Sequence, residues 1–224
     1  VHPVFMTPPL AASGFGAVLG GLAAPRLALL HVGVAFFALY TAHVKDGLVD
    51  FHRRGEDDDH PLTRRGCHLA IAGSTAAFVA GVAALAVLVD PVAALLAVPG
   101  WLVAVLHAPQ LDTDPFGATL GYPVGIGFAL LGGYYVQTRT LSATVVAFAA
   151  VFVAILAGIK IVDDATDYDY DRSVDKRTVA VVLGRDGARR LAAGLMGAGM
   201  LAVIALSVTG VVPRGSALAV VPFV

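Results

Sequence analysis

Charge is scarce in this chain of 224 residues: Lys, Arg, Asp and Glu together make up 14%, against about 25% in an average soluble domain. Sulfur is scarcer still. The one cysteine, Cys67, excludes an internal disulfide and a cysteine-rich metal centre. No basic segment precedes the first apolar run, and Pro3, Pro8 and Pro9 interrupt that run, so no secretory leader is recognisable. The ten-residue apolar/polar alternation of membrane strands is also missing. Apolar stretches instead run continuously in Ala, Leu, Val and Gly, which points to helices.

Hydrophobic residues fill 58% of the chain, and its mean hydropathy is +0.81. Runs long enough to cross a bilayer, which takes about 20 apolar residues, occupy residues 4 to 22, 27 to 44, 67 to 89, 91 to 108, 116 to 136, 141 to 162 and 188 to 212. An eighth begins at Ser216 and stops with the chain at Val224, and the first residue is Val1 rather than methionine, so both ends read as cut. The expected fold is an all-α, polytopic transmembrane helix bundle with seven readable spans plus a truncated eighth, one domain over residues 1–224. Gly16 with Gly20, and Gly117 with Gly121 and Gly125, repeat at four-residue steps that suit close helix packing.

The net charge of -1 says little, but its distribution says more. Assigning loops alternately to two sides gives one side Lys45, Arg53, Arg54, Arg64, Arg65, Arg172, Lys176, Arg177, Arg185, Arg189 and Arg190, and leaves Arg26, Arg139 and Arg214 for the other. The positive-inside rule makes the richer side cytoplasmic. Every acidic residue except Asp90 falls on that same side.

Among those acids, Asp163, Asp167 and Asp171 stand four apart where an apolar run ends. On a helix they would form one drifting stripe. Like charges at this step repel by roughly 0.2–0.5 kcal/mol per pair, so the stripe calls for a positive partner. A second acidic run end carries Asp46 and Asp50, with Arg64 and Arg65 following, as Lys176 and Arg177 follow the first. Carboxylates are hard donors suited to Mg²⁺, which binds through a few of them together with substrate phosphates. Arg and Lys would meet the remaining phosphate oxygens. An apolar bundle beneath suits a hydrocarbon tail, so the pattern points to a prenyl diphosphate; nothing in it points to nucleic acid.

These residues resemble the UbiA superfamily of intramembrane prenyltransferases, whose members carry two aspartate-rich motifs, NxxxDxxxD and DxxxDxxxD. The second is matched by Asp163, Asp167 and Asp171, and DKRTVAVVLG, residues 175 to 184, is similar to the family's GKRTLAVRLG continuation. In the first, Asp46 stands at the asparagine position, Asp50 matches, and Arg54 replaces the third acid, with Asp57, Asp58 and Asp59 close behind as substitutes. The segments DPFGATLGYPVG, residues 114 to 125, and YYVQT, residues 134 to 138, look like the branch that prenylates 1,4-dihydroxy-2-naphthoate in menaquinone synthesis, although Gly127 falls where that branch has an acid.

The resemblance implies an Mg²⁺-dependent enzyme of the cell membrane, its site facing the cytoplasm, moving a prenyl group to a lipid-soluble aromatic acceptor. Asp46, Asp50, Asp163, Asp167 and Asp171 would be its metal-binding catalytic residues, Arg64, Arg65, Lys176 and Arg177 would hold diphosphate, and Tyr122 would line the prenyl or acceptor pocket through its π face. Lipid or carotenoid precursors are acceptors in other branches. A CDP-alcohol phosphotransferase is disfavoured because LVDF follows Asp46-Gly47 where an xxAR step belongs. A soluble isoprenoid synthase is excluded by the spans. A cation-coupled transporter or scaffold would keep its acids nearer the bilayer midplane.

Other residues invite alternatives. His43, His52, His60 and His68 surround the first polar segment without matching a zinc signature. His31 and His107, in or at the end of apolar runs, read equally as functional or hydrogen-bonded structural histidines. Tyr134 and Tyr135 suit an interfacial aromatic belt.

Overall fold

A computed structural model describes residues 3–55, 59–174 and 176–223. Within them the chain is helical and contains no strand. Its helices are α1 (Pro3–Leu19), α2 (Pro25–Val49), α3 (Arg64–Leu88), α4 (Pro91–Leu106), α5 (Pro115–Thr138), α6 (Ala143–Thr166), the short α7 (Tyr168–Ser173) and α8 (Val179–Val208). Turns of π-helix extend α2 through Asp50–Arg54 and follow α4 over His107–Leu111, where Ala108 takes extended angles.

Six of these helices are long and apolar enough to cross a membrane. The first apolar run forms only the 17 residues of α1, with Pro8 and Pro9 inside it. The stretch read as an eighth span is a 3₁₀ helix, Arg214–Phe223. The helix starts follow from capping chemistry: Thr63, Asp90, Ser142 and Thr178 accept hydrogen bonds from backbone N–H groups that have no partner inside the first turn. Pro25, Pro91 and Pro115 sit at first helical positions, where a missing N–H costs nothing.

The chain divides into two compact units, Val1–Leu111 with Phe128–Leu141, and Asp112–Gly127 with Ser142–Val224. In the first, Val34, Ala38, Phe78, Leu85, Val89, Ala93, Tyr135 and Val136 form the core. Phe78 stacks on Trp101 at 5.6 Å between ring centres. Gly16 and Gly133 allow α1 and α5 to cross almost backbone to backbone: a Cβ on Gly16 would lie 2.1 Å from the Leu130 carbonyl oxygen, and one on Gly133 2.0 Å from that of Ser13. Lipid is as apolar as leucine, so such contacts, not hydrophobic burial, hold spans together. Gly125 meets nothing within 4 Å.

His31 belongs to the same crossing. It is 2% exposed, its Nδ1 pairs with the Ser13 hydroxyl at 2.7 Å, and its ring fills the space left by Gly132. This resolves His31 as a packing residue. In the second unit, Ile161, Ala165, Ala180, Ala188 and Ala192 are buried together. There Gly158 on α6 faces Met196 and Ala192, and Gly199 on α8 faces Ile155, so the two helices run antiparallel in close contact. Large apolar side chains point outward elsewhere, as at Val87 (84% exposed) and Val208 (77%), a surface suited to lipid rather than water.

Candidate functional site

In the second unit the three spaced aspartates are not on one uninterrupted helix. α6 ends at Thr166, Asp167 stands at the junction (φ -91°, ψ 12°), and α7 carries Asp171. Backbone bonds from Asp167 N to Asp163 O (3.3 Å) and from Asp171 N to Asp167 O (2.9 Å) keep the four-residue rise, so the stripe survives as a bent one. Asp163 and Asp167 are exposed, whereas Asp171 is buried. Burial above all, with the charges of Asp164 and Asp167, pushes the Asp171 carboxyl above its ordinary range, against the pull of Lys176 and Lys160.

A fourth acid, passed over in the sequence reading, lies deeper. Asp164 is 3% exposed, and its Oδ1 accepts from Lys160 Nζ at 2.5 Å, while Lys160 also approaches Asp163 Oδ2 at 3.5 Å. The other Asp164 oxygen is buried without a hydrogen-bond partner among the described residues. The signal was legible: Lys160 is a lone cation in an apolar run, four residues before an acid. Carboxylates this close, one with an orphaned oxygen and one pushed toward protonation, fit a hard divalent cation.

The segment after α7 explains itself residue by residue. Lys176 lies 5.6 Å from the centre of the Tyr170 ring, and its charge acts on Asp171. Arg177 donates its backbone N–H to the Asp112 carbonyl at 3.2 Å and leaves its side chain exposed. Thr178 is buried and caps α8 through Val181 N at 3.3 Å. Gly184, with φ +72° and ψ 162°, breaks α8, placing Arg185 at the start of its longer part, where it pairs with Asp169 at 2.9 Å. These angles are nearly glycine-only, and a Cβ there would meet no atom within 4 Å. Gly184→Ala should therefore cost about 1–3 kcal/mol through backbone strain alone, read as a lower midpoint of thermal unfolding in detergent. Asp175 lies outside the described residues.

In the first unit, Asp46 lies in the last turn of α2 and Asp50 opens its π-helical continuation. Asp46 Oδ1 is 3.9 Å from His107 Nε2, which places His107 at this acidic end. Lys45 reaches the Val105 carbonyl and, at 3.3 Å, Gln110 Oε1, closing the end of α4. Asp50 Oδ1 pairs with Arg54 Nη1 at 3.3 Å, both side chains 19% exposed. The residue at the third acidic position of the resembled motif thus supplies positive charge to the second. With its charge offset by Arg54, Asp50 leaves less negative charge here for a cation than the acids of the second unit offer. Asp57 and Asp58 lie outside the described residues, and Asp59 is exposed.

Arg64 and Arg65 do not sit in a loop: they open α3 as exposed residues, and among the described residues they form no ion pair. Two cations at a helix start oppose the helix dipole, so an anion there would relieve both. Tyr122 is half-buried on α5.

The segments that looked like acceptor markers have structural duties. Asp114 caps α5 through Gly117 N at 2.8 Å. Tyr135 donates to Asp90 Oδ2 at 3.0 Å, and Gln137 bonds both the N–H and the carbonyl of Ala24. Partial burial works against the Asp90 charge, but hydrogen bonds from Ala93, Tyr135 and Val92 and the charge of Arg139 hold its carboxyl below the ordinary range. Asp90 therefore stabilises the fold above the ordinary carboxylate pKa and loses that contribution as pH falls through the lowered value. A Cβ on Gly127 would lie 3.0 Å from Val153 Cγ2, so a larger side chain there would need Val153 to shift.

Six membrane-length helices with carboxylates gathered at helix ends mark a multi-pass membrane protein. Residues 9–224 match the UbiA prenyltransferase family, and the chain belongs to that family. Membership implies membrane prenyltransferase activity. Among solved structures, the apo structure of a UbiA homolog from Aeropyrum pernix K1 is similar in fold, with a TM-score of 0.73 and 18% identity over 97% of this chain and 84% of that one. The comparison with curated protein sequences gave no match.

Proposed function

We propose that this protein transfers a prenyl group from an isoprenoid diphosphate to a lipid-soluble aromatic acceptor of the quinone pathway at the cytoplasmic face of the cell membrane. The observation that carries the reading is the group of Asp163, Asp164, Asp167 and Asp171, with a buried carboxylate oxygen that has no partner among the described residues, next to Lys176. Asp163, Asp167 and Asp171 in one unit, and Asp46 and Asp50 in the other, are the residues assigned to Mg²⁺. The ion, when bound, neutralises diphosphate and makes it a better leaving group.

The chain's own residues do the rest. Arg64, Arg65, Lys176 and Arg177 meet the negative charge that gathers on the departing diphosphate as the allylic carbon–oxygen bond breaks and its electron pair leaves with oxygen. The apolar helices keep water from the resulting allylic cation. An electron-rich carbon of the acceptor then attacks, and the aromatic ring regains its conjugation by losing a proton. Tyr122 is placed by this reading beside the cation. The aromatic acceptor is assigned from the resemblance of residues 114 to 125 and 134 to 138, although several of those side chains cap and tie helices.

The test is to supply membranes carrying the full-length protein with geranylgeranyl diphosphate, Mg²⁺ and 1,4-dihydroxy-2-naphthoate, a glycerol-lipid precursor or a carotenoid, and to follow diphosphate release and product mass. Prenylated naphthoate is the expected product. Transfer only to the lipid or carotenoid precursor moves the acceptor assignment to that class, and no release with any acceptor favours a transporter or scaffold.

A further inference from the structure

The single cysteine is not isolated. His52 lies in the π turn after α2, His60 in the connecting segment and Cys67 in the first turns of α3, and one ligand atom from each falls within 4.8 Å of the others. Cys67 is fully buried, and its Sγ lies 3.9 Å from His60 Nδ1. All three converge on the Leu62 carbonyl, with His52 Nε2 and His60 Nδ1 each 3.0 Å from it and the sulfur 4.0 Å away.

The surroundings hold this arrangement in place. The Phe51 ring stacks on His60 at 5.8 Å and meets His52 edge-on at 4.8 Å. Gly47 leaves α2 bare where His60 packs, since a Cβ there would lie 2.2 Å from His60 Nε2. Val44 and Leu48, one turn apart on α2, are buried against Cys67.

We propose that His52, His60 and Cys67 bind one zinc ion that fastens the segment between α2 and α3 to both helices. Two imidazoles and a thiolate are a borderline-soft donor set, which selects Zn²⁺ over Mg²⁺. Zinc bonds of about 2.0–2.1 Å to nitrogen and about 2.3 Å to sulfur, set tetrahedrally, bring donors to roughly 3.3–3.6 Å from one another, so the cluster tightens by up to about 1.5 Å on binding. The Cys67 S–H proton passes to solvent as the sulfur–zinc bond forms, no electron changes hands, and water completes the fourth position. His52 and His60 turn from the Leu62 carbonyl to the metal. The ion is distinct from the one assigned to the aspartates, and the proposal stands whether or not prenyl transfer is the protein's activity.

The test is metal analysis of the full-length protein in detergent after exposure to Zn²⁺ and dialysis against excess Mg²⁺. One zinc per chain is expected in the wild type. Cys67→Ala and His60→Ala should each weaken binding beyond the roughly 10–100-fold that follows loss of a ligand's supporting hydrogen bond. With Co²⁺ in place of zinc, the wild type should show a thiolate-to-metal charge-transfer band, and zinc should slow amide hydrogen exchange across residues 62–67. These last readouts need no variant to fold. A wild-type protein that retains no zinc, shows no such band, or binds zinc as tightly without Cys67 overturns the proposal.

Discussion

Asp167→Asn is expected to lower prenyl transfer at least about a hundredfold, equivalent to about 2.7 kcal/mol in the barrier, while leaving the protein folded. Folding is spared because Asp167 is exposed, no side-chain hydrogen bond from it caps α7, and asparagine adopts its backbone angles equally well. Activity is not spared, because the amide keeps the shape and loses the charge on which a hard cation depends. The check is initial diphosphate release from geranylgeranyl diphosphate at saturating Mg²⁺, with thermal unfolding measured on the same preparation. Turnover within a few-fold of wild type, in a protein that unfolds normally, would remove the aspartates from the reaction.

Lys160→Met is expected to damage stability instead. Lys160 is the one hydrogen-bonding partner of Asp164 among the described residues, and that carboxylate is 3% exposed. Breaking a buried pair by removing one member costs about 3–5 kcal/mol, because the surviving charge is left without compensation. The lysine side chain is itself 30% exposed, which puts the expected loss nearer the lower figure, at about 3 kcal/mol. Adding Asp164→Leu to Lys160→Met should recover most of it, since an apolar pair of similar volume needs no partner. Unfolding midpoints of wild type, single and double variants measure this. A single variant as stable as wild type, or a double variant less stable than the single, would contradict it.

Much of the fold was legible because a membrane-length apolar run has few other uses. What the runs concealed were their ends. Four-residue spacing cannot show where a helix stops, so the stripe of Asp163, Asp167 and Asp171 read as straight, and the stop at Asp167 emerged only in three dimensions. Lys160 stood out as a lone cation four residues before Asp164, but the burial that makes the pair costly to break appears only in the fold.

Pairings through the fold were the least legible. Arg54 stood in the sequence as a departure from an acidic motif, and in the structure it is the counter-charge of Asp50. Tyr135 and Gln137, within a segment that resembles an acceptor branch, also tie to Asp90 and Ala24, residues remote along the chain. Cys67 excluded a disulfide, correctly by arithmetic, yet a turn brings His52 and His60 to it. Gly16 was legible as a packing residue because a helix crossing needs a small side chain at a fixed step, a local property of the chain.

Under the proposed function, aspartates at the acidic helix ends hold diphosphate through divalent metal. The most direct test is equilibrium binding of a non-reactive prenyl thiolodiphosphate to the full-length protein, with and without Mg²⁺, in wild type, Asp50→Asn and Asp167→Asn. Tight binding is expected only with Mg²⁺, and at least about tenfold weaker binding in each variant, about 1.4 kcal/mol. Binding that is equal with and without Mg²⁺, or untouched by either substitution, would contradict it.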